Sequence, residues 1–98
     1  MNMQAMLKQA QALQKDMLKA KDEIDKTEFV GESSLVKVTL KGTREAVKVE
    51  IQSKEDFDLD DLEVLEDMLV VAINDANKKI DSMTESKMGK FGNIPGLF

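Results

Sequence analysis

Met3, Met6, Ala10, Leu13, Met17, Ala20 and Ile24 recur at alternating spacings of three and four residues, and no other feature of the chain restricts its fold as much. Residues so spaced share one face of a helix, so the pattern predicts an amphipathic, coiled-coil-like helix at the start of the chain. On a wheel of about 100° per residue, Lys8, Lys15, Lys19 and Lys26 fall within about 40° of one another, opposite that seam. A second series, Leu62, Leu65, Leu69, Ala72, Ile73, Ala76, Ile80 and Met83, keeps a helical period with no intervening Pro. It is long enough for a helix of more than about 25 residues running up to Gly89. Phe57, Asp58 and Leu62 read as a hydrophobic staple and N-cap, with Asp61 as the capping-box acid, which starts this helix near Leu59.

Between the helices, residues 35 to 42 and 46 to 52 alternate apolar and polar around a Gly-containing turn, the signature of a β-hairpin. Val36, Val38, Leu40, Val47, Val49 and Ile51 are expected to face the core, with Lys37, Thr39, Lys41, Lys48 and Glu50 outside. Residues 28 to 32 supply a shorter strand before the Ser33-Ser34 turn. The expected fold is a single α+β domain over residues 1–98 in the order α-β-β-β-α, a small antiparallel sheet flanked by two long helices. The segment GKFGNIPGLF holds three Gly and the one Pro of the chain, so residues 89–98 are expected to form a mobile tail. Each helix spans roughly 35 to 40 Å and a seven-residue strand roughly 23 Å, so the helices overshoot the sheet. Met3, Met6, Leu13, Met17, Leu65, Leu69 and Ile73 therefore form a seam for core or dimer packing, and a second copy is the simplest cover for it.

The sequence contains no His, Trp, Tyr or Cys, which removes the usual general base near neutral pH, the usual nucleophile pairs and most transition-metal ligands. No enzyme activity, cofactor, metal or small-molecule substrate is expected. Asp56, Asp58, Asp60 and Asp67 imitate the carboxylates of a calcium loop, but Asp61 stands where such a loop needs Gly for its sharp turn. Lysines break up the first 26 residues, so neither a signal peptide nor a membrane span is expected and the reading is cytoplasmic. The net charge of −5 is unevenly placed. Residues 1 to 21 hold four Lys against Asp16, residues 54 to 75 hold nine acids against Lys54, and residues 76 to 98 hold four Lys against Asp81 and Glu85. Both ends are basic and the middle is acidic. Thirteen of the fourteen basic residues are Lys, so contacts with a polyanion would be phosphate-directed rather than guanine-reading. With four Phe as the only aromatics, base stacking is disfavoured and a duplex is favoured over single strands.

GESSLVKVTLKG followed by AVKVEI, then LEDMLVVAINDANKK and KMGKFGNIPGLF, resemble in order and spacing the YbaB/EbfC family of bacterial nucleoid-associated proteins, over nearly the whole chain. The resemblance implies a tweezer-like homodimer, with helical arms on a central sheet, that binds double-stranded DNA and alters its conformation in the nucleoid. It implies no catalytic residue and supplies no contact motif to carry over. From the residues themselves, the expected phosphate contacts are Lys8, Lys15, Lys19 and Lys26 with Lys78, Lys79, Lys87 and Lys90. Gln4 and Gln11, near the same face, are candidates for base edges. The alternative is a protein-interaction adaptor using the acidic second helix or the apolar tail.

Overall fold

The computed structural model describes residues 2–52, 55 and 58–91. Its elements follow the expected order: helix α1 (Met3–Lys26), strands β1 (Glu28–Ser33), β2 (Val36–Lys41) and β3 (Ala46–Ile51), and helix α2 (Leu62–Met88), with 3-10 turns at Leu59–Asp61 and Gly89–Phe91. The strands form one antiparallel sheet in the order β1-β2-β3. The helices do overshoot it, and the molecule measures 71 × 19 × 14 Å.

The core lies between the sheet and α2. Phe29, Val36, Val38 and Leu40 meet Ala72, Ala76 and Ile80, with Ile51, Leu65, Met68, Leu69 and Met83 packed around them. Gly31 and the two alanines set how close the layers come. A Cβ on Gly31 would overlap the Ala72 carbonyl oxygen and stand 2.9 Å from Ala76 Cβ, so α2 rests directly on the backbone of β1. A second close approach, of β2's end to the end of α1, needs Gly42: its N–H donates to the Thr27 carbonyl at 3.0 Å, and a Cβ there would strike the Ile24 carbonyl oxygen.

The hairpin departs from expectation at β3. Val49 pairs with Val38 and Ile51 with Val36, so alternation places them on the inner face as the sequence predicts. Yet Val47 and Val49 are 46% and 50% exposed. The cause is width: a helix about 10 Å across covers roughly two strands spaced about 4.8 Å apart, and α2 packs on β1 and β2.

Side chains of α2 also close the outer edge of β1. Lys79 Nζ donates to the Val30 carbonyl oxygen at 2.6 Å, and the Glu32 N–H donates to Asp75 Oδ2 at 3.0 Å. The Glu32 N–H, with help from Lys79, holds the Asp75 carboxyl below its usual value of 3.8, against a smaller opposing effect of burial. A depressed folded pKa means that this contribution is complete above the unfolded value and disappears as pH falls through the folded one. Asp75→Asn should therefore shrink the drop in urea midpoint between about pH 6 and about pH 3. An undiminished drop would show that this carboxylate does not couple folding to pH.

Two ends of α2 bear on the expectations from sequence. Asp58 Oδ1 accepts from Asp60 N at 2.9 Å and Asp61 Oδ2 accepts from Asp58 N at 3.0 Å, the expected capping box, though its first turn is 3-10 and the α-helix begins at Leu62. Phe57, the proposed staple, lies outside the described residues. At the other end, Phe91 is 1% exposed, so residues 89–91 belong to the folded body and not to the tail expected over 89–98. The burial of one aromatic ring holds that turn in place. Residues 92–98 lie outside the described residues.

Candidate nucleic-acid interface

α1 starts at an N-cap, Asn2, whose side-chain oxygen accepts from Gln4 N at 3.0 Å. Along the helix the seam loses its cover step by step. Ile24 is buried, Ala20, Met17 and Leu13 are half-buried, Met6 is exposed, and Met3 is 76% exposed. The base of α1 is fixed to the end of α2, where Lys87 Nζ lies 2.9 Å from Glu23 Oε2 and Ile24 shares a hollow with Ile80, Thr84 and Met88. The rest of α1 projects as an arm.

On that arm Lys8, Lys15 and Lys19 are exposed and make no ion pair with another described residue. They span about 16 Å along one side of the helix. Asp16 is the one carboxylate between Lys8 and Lys19, about 80° round the helix from their strip. Gln4 and Gln11 are exposed on the same projecting part. Lys19 has Glu23 one turn away, whose carboxyl it helps to hold down after the larger effect of Lys87, whereas no carboxylate stands one turn from Lys8 or Lys15.

Four of the other five expected cations are engaged. Lys26 Nζ is 2.9 Å from Asp22 Oδ2, whose hydrogen bond and charge raise the Lys26 pKa. Lys79 is spent on the β1 edge, 3.5 Å from Asp75 in addition to its bond to Val30. Lys87 is half-buried against Glu23, whose carboxyl it pushes down by hydrogen bond and charge. Lys90 sits 5.1 Å from the centroid of the Phe91 ring, a cation–π contact. Lys78 is exposed, but beside Glu32, Asn74 and Asp75. The eight lysines thus divide into three on the arm that are free of ion pairs and five held on or near the body. Sequence periodicity could not make that division, because the partners Glu23 and Val30 are remote in the chain from Lys87 and Lys79.

The acids lie elsewhere. Asp60, Glu63, Glu66 and Asp67 are exposed at the start of α2, roughly 35 Å along that helix from the Lys87–Glu23 clamp that carries the arm. Leu65 and Leu69 of the expected seam pack on the core, while Ile73 is 36% exposed. Among the described residues Arg44, the single Arg, is latched to Asn77 and Asp81 and holds the β2–β3 turn to α2. It occupies the left-handed region, with φ of 75°.

The chain is a two-layer α+β protein with exposed lysines along a projecting helix and exposed acids at the far end of α2. The chain belongs to the YbaB/EbfC DNA-binding family, whose model matches residues 1–94. It is 46% identical over 99 residues to a nucleoid-associated protein of Ligilactobacillus salivarius, covering 99% of this chain and 95% of that one. A nucleoid-associated protein of Enterococcus faecalis is 40% identical over 98 residues, covering 98% and 94%. An uncharacterized protein of Helicobacter pylori has a crystal structure with the same fold, with a TM-score of 0.73 at 19% identity over 93% of this chain and 97% of that chain.

Proposed function

We propose that this protein is a nucleoid-associated, duplex-DNA-binding homodimer that grips phosphates with the Lys8, Lys15 and Lys19 strips of two α1 arms and alters the path of the DNA. The observation carrying this reading is the strip itself, three exposed lysines free of ion pairs among the described residues on a helix that leaves the body. Pairing of two copies is supported by the apolar surface a single chain leaves open, including Val47, Val49, Val70 and Val71. A lysine ammonium is a point charge with no guanine-matching fork, so the interaction is expected to show little sequence preference. Arms on a shared body would engage the duplex at two places, which lets binding energy deform it. Family membership and the relatives' names accord with this role.

The test is duplex binding across a salt series, with size determined on the same sample. Affinity should fall steeply as salt rises, with a log–log slope close to the number of phosphates neutralised, and the binding species should be twice the chain mass. A flat salt response would contradict phosphate contact.

A second reading has one observation in its favour. Leu59 is 83% exposed amid Asp58, Asp60 and Asp61, a combination suited to a basic, apolar protein partner. In that case neutralising Asp60 and Asp61 abolishes function while charge reversal on α1 leaves it intact.

A further inference from the structure

We infer that the α1 arm carries an uncharged stripe, Leu7, Gln11 and Leu18, which lies on the floor of the major groove and favours A·T pairs by contact with thymine methyl groups. The inference rests on the duplex-binding reading above and names the part of the duplex that this side of α1 meets. Leu7 and Leu18 are 60% and 55% exposed. Gln11, exposed as well, lies in line between them, and all three fall within about 40° on the helix wheel. The stripe coincides with neither of the other two faces of α1. It lies about 110° from the centre of the apolar seam and about 80° from the lysine strip. At the tip, Leu7 borders the open end of the seam at Met3, Met6 and Ala10.

Charge decides what faces the stripe. With Lys8, Lys15 and Lys19 against one ridge of phosphates, the surface a quarter-turn round the helix is turned into the groove beside that ridge. Asp16 stands about 160° from the stripe, on the side away from the duplex. Nearer the base, Asp25 and Asp22 follow on the stripe's own side, paired with Lys21 and Lys26, so the uncharged surface ends at Leu18. Width selects the groove. A helix with its side chains is about 10–12 Å across and fits the major groove of about 12 Å, whereas the minor groove of about 6 Å is too narrow. From Leu7 to Leu18 the stripe runs about 16 Å, roughly five base-pair steps.

Residue type then sets the preference. Leucine neither donates nor accepts a hydrogen bond, so among base edges it gains only where it meets an apolar group. In the major groove that group is the C5-methyl of thymine, and a G·C pair presents none. Gln11 supplies the paired donor and acceptor that match N7 and N6 of adenine, and Gln4, on the lysine side of the stripe, supplies another. The residue suited to guanine is missing from the arm, because the single Arg, Arg44, is tied to Asn77 and Asp81. These contacts favour A·T-rich duplex by composition without defining a site, while the lysines contribute equally to every sequence.

Alternating A·T duplexes made with thymine or with uracil differ by the C5-methyl alone. By anisotropy, the wild-type protein should bind the thymine duplex about threefold more tightly than the uracil duplex. Leu7→Ala with Leu18→Ala changes two exposed positions to a good helix former. That variant should bind both duplexes as the wild type binds the uracil one, with an unchanged salt slope. Equal wild-type affinity for the two duplexes would overturn the stripe and leave the lysine contacts standing. A thymine preference undiminished in the double variant would also overturn it, since the methyl would then act through the shape of the duplex. Failure to bind either duplex at low salt would overturn both this inference and the reading on which it rests.

Discussion

Lys8→Glu together with Lys15→Glu lowers duplex affinity at least about tenfold at low salt, equally for unrelated sequences, and flattens the salt dependence. Removing one lysine–phosphate interaction should reduce the log–log slope by about one, and in a dimer every such removal counts twice. The size of the effect follows from the arm's isolation. No local carboxylate neutralises Lys8 or Lys15 among the described residues, so reversal changes the field at the duplex directly. Lys79→Ala should behave differently. Its ammonium serves the Val30 carbonyl and Asp75, so its loss should appear in stability and leave the salt slope unchanged. Filter binding or anisotropy across the salt series separates the two, and equal slopes for the wild type and the double reversal would remove α1 from the DNA interface.

Gly31→Val is expected to cost about 3 kcal/mol or more and to leave the chain largely unfolded at moderate temperature. Neither neighbour can yield cheaply, because the Cβ meets the backbone of α2 at Ala72 and Ala76 before it meets any flexible side chain. Relief would require lifting α2 from β1, which opens the core around Phe29, Val38 and Ile80. Gly89→Ala is the matched control: nothing lies within 4 Å of its Cβ and its φ is −57°, so stability should hold or rise slightly. Urea unfolding of both variants checks the pair, and a Gly31→Val midpoint near wild type would contradict the close approach of helix and strand.

The sequence made some of this legible and concealed the rest for a physical reason. Periodicity reports which side of an element a residue occupies, so the α1 seam, the Lys8–Lys15–Lys19 strip, the hairpin and the Asp58–Asp61 cap could all be read from spacing. Periodicity does not report what stands opposite. Val49 was placed on the correct face and still lies half in solvent, because α2 covers two strands and the described sheet has three. Lys79 and Lys87 read as surface cations until Val30 and Glu23 come beside them in the fold. Gly31 gave no signal of its own, since its importance depends on two alanines more than forty positions away. Phe91 sat in a segment whose Gly and Pro content suggested a tail throughout, and a buried ring outweighs that composition.

A DNA-binding surface on the α1 arm puts Gln11 against the duplex and leaves the acidic start of α2 facing away from it. A photo-crosslinker on Gln11→Cys, the sole thiol in that variant, should capture duplex efficiently at low salt, and the same reagent on Asp67→Cys should capture almost none. Capture from Asp67 in place of Gln11, or from neither, would contradict the cationic arm as the DNA-binding surface.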